Sequence, residues 1–254
     1  MNIKIRDKFT RLWKKYFDGA ELPLCFYYTE VIRGAEEVEN SPENRCVVCA
    51  LLAVRKGKSL FFGLDSTGCP GGKRYLGFSD KIRPNFEYFL SCGIPGELEG
   101  ERYKKSPELV KEVMGRMPVY KAPHKFIVFK RWDLLEESDE PEVVIFFAQP
   151  DVLSGLFTLA SFDEVEPNGV ICPFGSGCSA IVYYPYLERE SEHPRGVIGM
   201  FDPSARPCIP AEVITFAAPM KKFNRMIKNM EESFLITPTW GTVSKRISNF
   251  KEGK

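Results

Sequence analysis

The chain has 254 residues, enough for one large domain or two small ones with a substantial core. Its 44% hydrophobic and 27% charged residues are those of an ordinary globular protein, and 35 Lys and Arg against 34 Asp and Glu leave no strong field for nucleic acid. No apolar run approaches the roughly 20 residues that span a bilayer, and the first residues carry no apolar secretory core. These features predict a cytoplasmic protein whose eight cysteines are thiols, metal ligands or core residues rather than disulfides.

Residues 3–17 predict an amphipathic helix. Ile5, Phe9, Leu12, Trp13 and Tyr16 share one face, and Lys4, Lys8, Arg11 and Lys15 another. The basic face is either a solvated surface or a contact for an acidic partner or membrane surface. Residues 23–31 predict a strand, 36–45 a polar loop, and 46–54 an apolar segment whose alanines and leucines favour helix. A short strand over 59–63 leads into the turn Thr67-Gly68-Cys69-Pro70-Gly71-Gly72-Lys73, and helices are expected at about 71–77, 84–91 and 106–116. The second half alternates. Strands are expected at 125–129, 143–148 and 169–172, with a helix over 151–162 between the last two. A second glycine turn, Cys172-Pro173-Phe174-Gly175-Ser176-Gly177-Cys178-Ser179, precedes a short helix that Pro185 should stop. Strands at 196–202 and 212–216 and helices at 220–230 and 242–250 complete the chain, Phe223, Met226, Ile227 and Met230 facing inward.

The pattern predicts an α/β fold, with mixed α+β as the alternative: a central mixed sheet under covering helices in a single domain over 1–254. A weak internal echo links Cys49-Ala50-Leu51-Leu52 and Asp65…Cys69-Pro70 with Cys178-Ser179-Ala180-Ile181 and Asp202…Cys208. It suggests two similar halves, about 20–117 and 124–235, facing each other across a cleft.

The chemistry concentrates in the turns. Cys46-Val47-Val48-Cys49 is a lone CxxC; valines inside an apolar run read as core cysteines, and no second CxxC completes a zinc ribbon. The Gly68–Arg74 segment is one residue short of a P-loop, with Arg74 where a hydroxyl belongs, which excludes a Walker nucleotidase. A looser anion site remains, with the amides of Gly71 and Gly72 and the Lys73 or Arg74 cation as donors. Gly175-Ser176-Gly177-Cys178-Ser179-Ala180 matches the G-x-G-x-x-A form of the dinucleotide fingerprint. The short following helix and the lack of an acidic residue about 20 positions on favour a plain anion-binding turn. Cys178, near that helix start, is the candidate nucleophile with a depressed thiol pKa. Asp202, Ser204 and Arg206 form a polar turn at a strand end, suited to a polar ligand or to local capping. Cys69, Cys178 and Cys208 are candidate ligands of a metal or iron–sulfur cluster, drawn from a wider set with Cys46 and Cys172. His124 and His193 lie in polar, proline-containing segments and read as surface residues.

The chain resembles the uncharacterised ArCR proteins, a domain-of-unknown-function family of archaea and bacteria. The resemblance rests on Cys69-Pro70-Gly71-Gly72 with Leu76-Gly77-Phe78, Gly177-Cys178-Ser179-Ala180, Asp202-Pro203-Ser204-Ala205-Arg206-Pro207, Ser233-Phe234-Leu235 with Trp240, and the strand from Glu142 to Phe146. It implies one intact unit and carries no catalytic residue over. The residues themselves favour a protein binding a small anion or a metal-containing cofactor between the cysteine-bearing turns, with Gly71, Gly72, Lys73, Gly175, Gly177, Ser179, Asp202, Ser204 and Arg206 as binding candidates. The alternatives are a thiol-dependent enzyme using Cys178 and a non-catalytic interaction protein using the basic N-terminal helix.

Overall fold

A computed structural model describes residues 1–39 and 46–252, side chains through Asn249. The expected polar loop falls outside the described residues from position 40 to 45. Eight strands form one mixed sheet: β1 Leu24–Thr29, β2 Glu36–Glu37, β3 Leu60–Phe62, β4 Phe126–Arg131, β5 Val143–Ala148, β6 Val170–Ile171, β7 Gly196–Gly199 and β8 Ile214–Pro219. Their spatial order is β2-β3-β4-β1-β5-β8-β7-β6. The expected mixed α/β architecture is the one the chain adopts. β2 is an addition, a two-residue edge strand inside the segment expected as loop.

Strands β1–β4 and β5–β8 repeat one plan about the central antiparallel β1/β5 pair. β2 and β3 are parallel, as are β6 and β7. β3/β4 and β4/β1 are antiparallel, as are β7/β8 and β8/β5.

Side chains alternate along the strands, so each strand feeds two cores. Leu24, Phe26, Ile127, Phe129, Val143 and Ile145 face one side, against α2 (Val47–Arg55) and the helical run ending in α7 (Tyr184–Glu188). Cys25, Val144, Phe146, Phe216 and Ala218 face the other. That face is covered by α1 (Ile3–Tyr16), α6 (Pro150–Ser161), α8 (Met220–Asn229) and α9 (Pro238–Glu252). Phe9, Leu12, Trp13 and Tyr16 of α1 are buried there, so the N-terminal helix is part of the core. On α8, Phe223, Met226, Ile227 and Met230 point inward as their spacing predicts. No helix among the described residues is long and apolar enough to cross a membrane.

Three further helices stand on the α2 side: α3 (Pro70–Tyr75), α4 (Phe86–Phe89) and α5 (Pro107–Arg116). Pro107 opens α5 at a position where its missing N–H costs nothing, and the Ser106 hydroxyl accepts from Leu109 N–H at 3.3 Å. One expectation fails here. Pro185 does not stop the helix after the second glycine turn. A π-helical turn over Ser179–Tyr183 widens the backbone just ahead of it, and α7 continues to Glu188.

Beneath β4, Lys130 is buried and its ammonium lies 3.1 and 3.0 Å from the two carboxylate oxygens of buried Asp139. Asp139 also accepts from the Tyr27 hydroxyl and, at 2.8 Å, from Glu136 N–H.

Candidate functional site

The two glycine turns, far apart in sequence, close on the first turn of α2. A Cβ on Gly72 would lie 3.0 Å from Val47 Cγ2 and 3.2 Å from Thr67 Cγ2. A Cβ on Gly177 would lie 3.0 Å from Val48 Cγ2, 2.9 Å from Ala205 Cβ and 3.0 Å from Met200 Sδ. The two valines of the CxxC are thus a wedge held between the turns. Their fit requires glycine on both sides because no side-chain volume is left there. Gly177→Ala is expected to destabilise the fold by about 1–3 kcal/mol through overpacking. Urea midpoints would measure it, and an unchanged midpoint would mean that the three neighbours yield freely.

The amides of these two glycines are already used. Gly72 N–H donates to Cys69 Sγ at 3.5 Å, which makes Cys69 the N-cap of α3, and Gly177 N–H donates to Asp202 Oδ2 at 3.2 Å. The other Asp202 oxygen accepts from Ser204 N–H at 3.0 Å and from the Ser204 hydroxyl at 2.8 Å. Asp202 therefore ties the second glycine turn to its own turn. Ser179 is buried, and its hydroxyl donates to Ser176 O at 2.7 Å. Arg206 faces its own loop: Nη1 donates to Val213 O at 2.6 Å and Nη2 to Ala211 O at 2.6 Å. Among the binding candidates, Gly72, Gly177, Ser179 and Arg206 hold the turns together.

Gly71, Gly175, Asp202 and Ser204 instead border a cavity of about 350 Å³. Cys69 and Ser176 stand beside them on this floor, while Lys73 is not among the lining residues. The opposite wall is apolar. Phe86 and Phe89 of α4, with Val110, Val113 and Met114 of α5 and Met117 just beyond it, look into the space. On α5 that face recurs at i, i+3, i+4 and i+7, yet of the four only Val110 is buried. An amphipathic face turned toward a cavity instead of the core is what a binding wall requires. Arg74, Lys81, Arg83 and Lys104 supply cations against the carboxylates of Glu101 and Asp202. Arg83 lies over the Phe89 ring and Lys104 over Phe174, each 4.3 Å from the centroid, while Arg74 Nη1 donates to Asp80 O at 2.9 Å. The Tyr75 hydroxyl, also on the lining, is pushed up to about 12 by burial and so stays a protonated donor at neutral pH. A larger groove of about 600 Å³ runs past Phe78, Tyr120 and His124. It is more open to solvent and lacks the two glycine turns, so it shields a ligand less. His124 there faces Glu30 at 3.5 Å on the surface, and His193 is exposed, as expected.

The cysteines depart most from expectation. Cys49 and Cys208 are joined by a disulfide across 159 residues, against the prediction that all eight are unpaired. The CxxC is not simply core: Cys46, half-buried, caps the start of α2, and its sulfur lies with those of Cys49 and Cys208 within 4.8 Å of one another. This trio can bind a metal when its sulfurs are free. Cys208 of the expected metal set belongs to it, whereas Cys69 sits on the cavity floor. Cys178 is buried, and burial pushes its thiol well above the ordinary range, reinforced by Cys46, Cys69 and Asp202 nearby. The depressed pKa expected of a nucleophile is therefore reversed. The Val48 N–H favours the thiolate, and burial outweighs it. Cys172 and Cys92 are exposed, and Cys25 is buried beneath the sheet.

Fold and site together define a layered α/β protein with a mixed sheet, a cationic, apolar-walled cavity and an adjoining cysteine cluster. The chain belongs to the family described as Uncharacterised ArCR, whose model matches residues 15–229. No curated protein and no solved structure matched it.

Proposed function

We propose that this protein binds a small amphipathic anion, a carboxylate or phosphate on an aromatic or short acyl body, in the cavity between the glycine turns and the α4–α5 wall. The carrying observation is the cavity itself: apolar on the α4–α5 side, floored by Cys69, Gly71, Gly175 and Ser176, and rimmed by four cations. Its volume falls in the range of small-molecule sites. Arg74, Lys81, Arg83 and Lys104 outnumber the carboxylates of Glu101 and Asp202, so the rim keeps a net positive character that selects an anionic head. The aromatic and methionine side chains of the wall suit a flat or flexible tail. The repeated strand plan supports an internal duplication behind the halves expected at 20–117 and 124–235, with β4 belonging to the first.

The reading is tested by thermal unfolding with a panel of arylalkyl and short acyl carboxylates and phosphates. A ligand at a hundredfold over its Kd adds about 2.7 kcal/mol to stability, which raises the melting temperature by several degrees. Met114→Trp, which fills the cavity from α5, is expected to abolish that rise without unfolding the chain. A rise that survives Met114→Trp, or none across the panel, contradicts the assignment.

A further inference from the structure

We propose that the reduced chain holds one zinc ion on Cys46, Cys49, Cys178 and Cys208, at the N-terminus of α2. The site is independent of the cavity's ligand. Three of its sulfurs come from two distant segments and lie within 4.8 Å of one another. Tetrahedral zinc with Zn–S bonds of about 2.3 Å sets its sulfurs about 3.8 Å apart, so small shifts bring the trio onto one ion. An iron–sulfur cubane places each thiolate on a different iron and needs a wider set.

The fourth ligand follows from what surrounds Cys178. Its side chain is buried in the core that also holds Cys208 and takes Cys46 and Cys49 against it, and a Cβ on the neighbouring Gly177 would lie 3.0 Å from Val48 Cγ2. Val48 is the second residue of α2, between the two cysteines of the CxxC, so Cys178 is brought to the same helical turn as Cys46 and Cys49. The positive end of the nine-residue α2 favours the net negative charge of a tetrathiolate. Cys46, its N-cap residue, makes no side-chain hydrogen bond to the helix, which leaves its sulfur available. The internal echo fits as well: Cys49 and Cys178 occupy corresponding helices of the two halves, so each half contributes to the centre.

Loading requires opening the Cys49–Cys208 bond. A dithiol reductant delivers two electrons and two protons to the pair, giving two thiols, and leaves as its own disulfide. Zinc then binds the four sulfurs and the thiol protons pass to solvent. The disulfide-linked chain has two of these ligands tied to each other and does not load.

The test uses the full chain, reduced with a dithiol, freed of it without oxygen, and titrated with Co²⁺ and then Zn²⁺. One equivalent of cobalt should give thiolate charge-transfer absorption and the strong visible bands of tetrahedral Co²⁺, both abolished by one equivalent of zinc. Cys46→Ser and Cys178→Ser should each weaken zinc binding by at least about tenfold, with far-UV circular dichroism preserved. Cys69→Ser and Cys92→Ser should bind like the parent. Should Cys178→Ser fail to fold, half-buried Cys46 and the Cys69→Ser control still decide. Absence of the cobalt bands, loss of binding in Cys69→Ser with retention in Cys46→Ser, or iron with acid-labile sulfide in protein purified without oxygen would each overturn the proposal.

Discussion

A chain lacking residues 1–17 is expected not to fold. Phe9, Leu12, Trp13, Tyr16 and Phe17 are each at most 6% exposed. Burying one such side chain is worth about 1.5–3 kcal/mol, so the five together rival the whole stability of a typical domain, about 5–15 kcal/mol. The loss also opens the opposite surface. Phe9 packs against Trp132 and Phe223, Trp13 against Phe146, and Phe17 against Trp240. Trp240 Nε1 donates to Tyr16 O at 2.9 Å, so α9 loses its anchor with α1. Circular dichroism and gel filtration of the truncated chain would show loss of ellipticity or aggregation. A folded, monodisperse product would restore the reading of α1 as a detachable interaction helix. Its basic face itself is not in the core: Lys4, Arg11 and Lys15 are exposed, and Lys8 lies 3.8 Å from Glu231.

Lys130→Met is the point substitution expected to cost most, about 3–5 kcal/mol, because it strands a buried carboxylate. Lys130 and Asp139 side chains are 1% and 2% exposed, so water reaches neither. Asp139 would keep Glu136 N–H and the Tyr27 hydroxyl but lose its counter-charge. The double variant Lys130→Met with Asp139→Asn should recover most of the loss, since it removes both charges, keeps an amide oxygen to accept from Glu136 N–H and turns the amide N–H2 toward the Tyr27 hydroxyl as acceptor. Urea unfolding of the two single variants and the double one measures the coupling. Additive losses would mean that the pair contributes no more than its separate packing.

The elements of this fold were largely legible in the sequence. The all-apolar run Val143–Ala148 is a strand buried on both faces, and the Phe223, Met226, Ile227, Met230 spacing is a docked helix face. Both rest on local periodicity. The two strand sets repeat one order and the same directions, which no single segment of the sequence displays. What failed was non-local. Nothing near Cys49 announces Cys208, because the sheet, not the spacing, brings them together. Val47 and Val48 looked like core residues and are; their partners, Gly72 and Gly177, are what turn a core helix start into the meeting point of both turns. Arg206 looked like an anion ligand because its chemistry allows it, but the carbonyls of its own loop take the guanidinium. The cavity wall had a readable signal in the Val110, Val113, Met114, Met117 stripe. The stripe marks an apolar face and cannot say whether that face meets a core or a ligand.

The central claim is that the cavity selects an anionic head on an apolar body. It is tested most directly by calorimetric titration of the full chain with a matched pair, an arylalkyl carboxylate and the alcohol of the same skeleton. The cationic rim predicts that the carboxylate binds at least about tenfold tighter, a difference of about 1.4 kcal/mol, and that added salt erodes this margin. Equal affinity for the two, unchanged by salt, would contradict it.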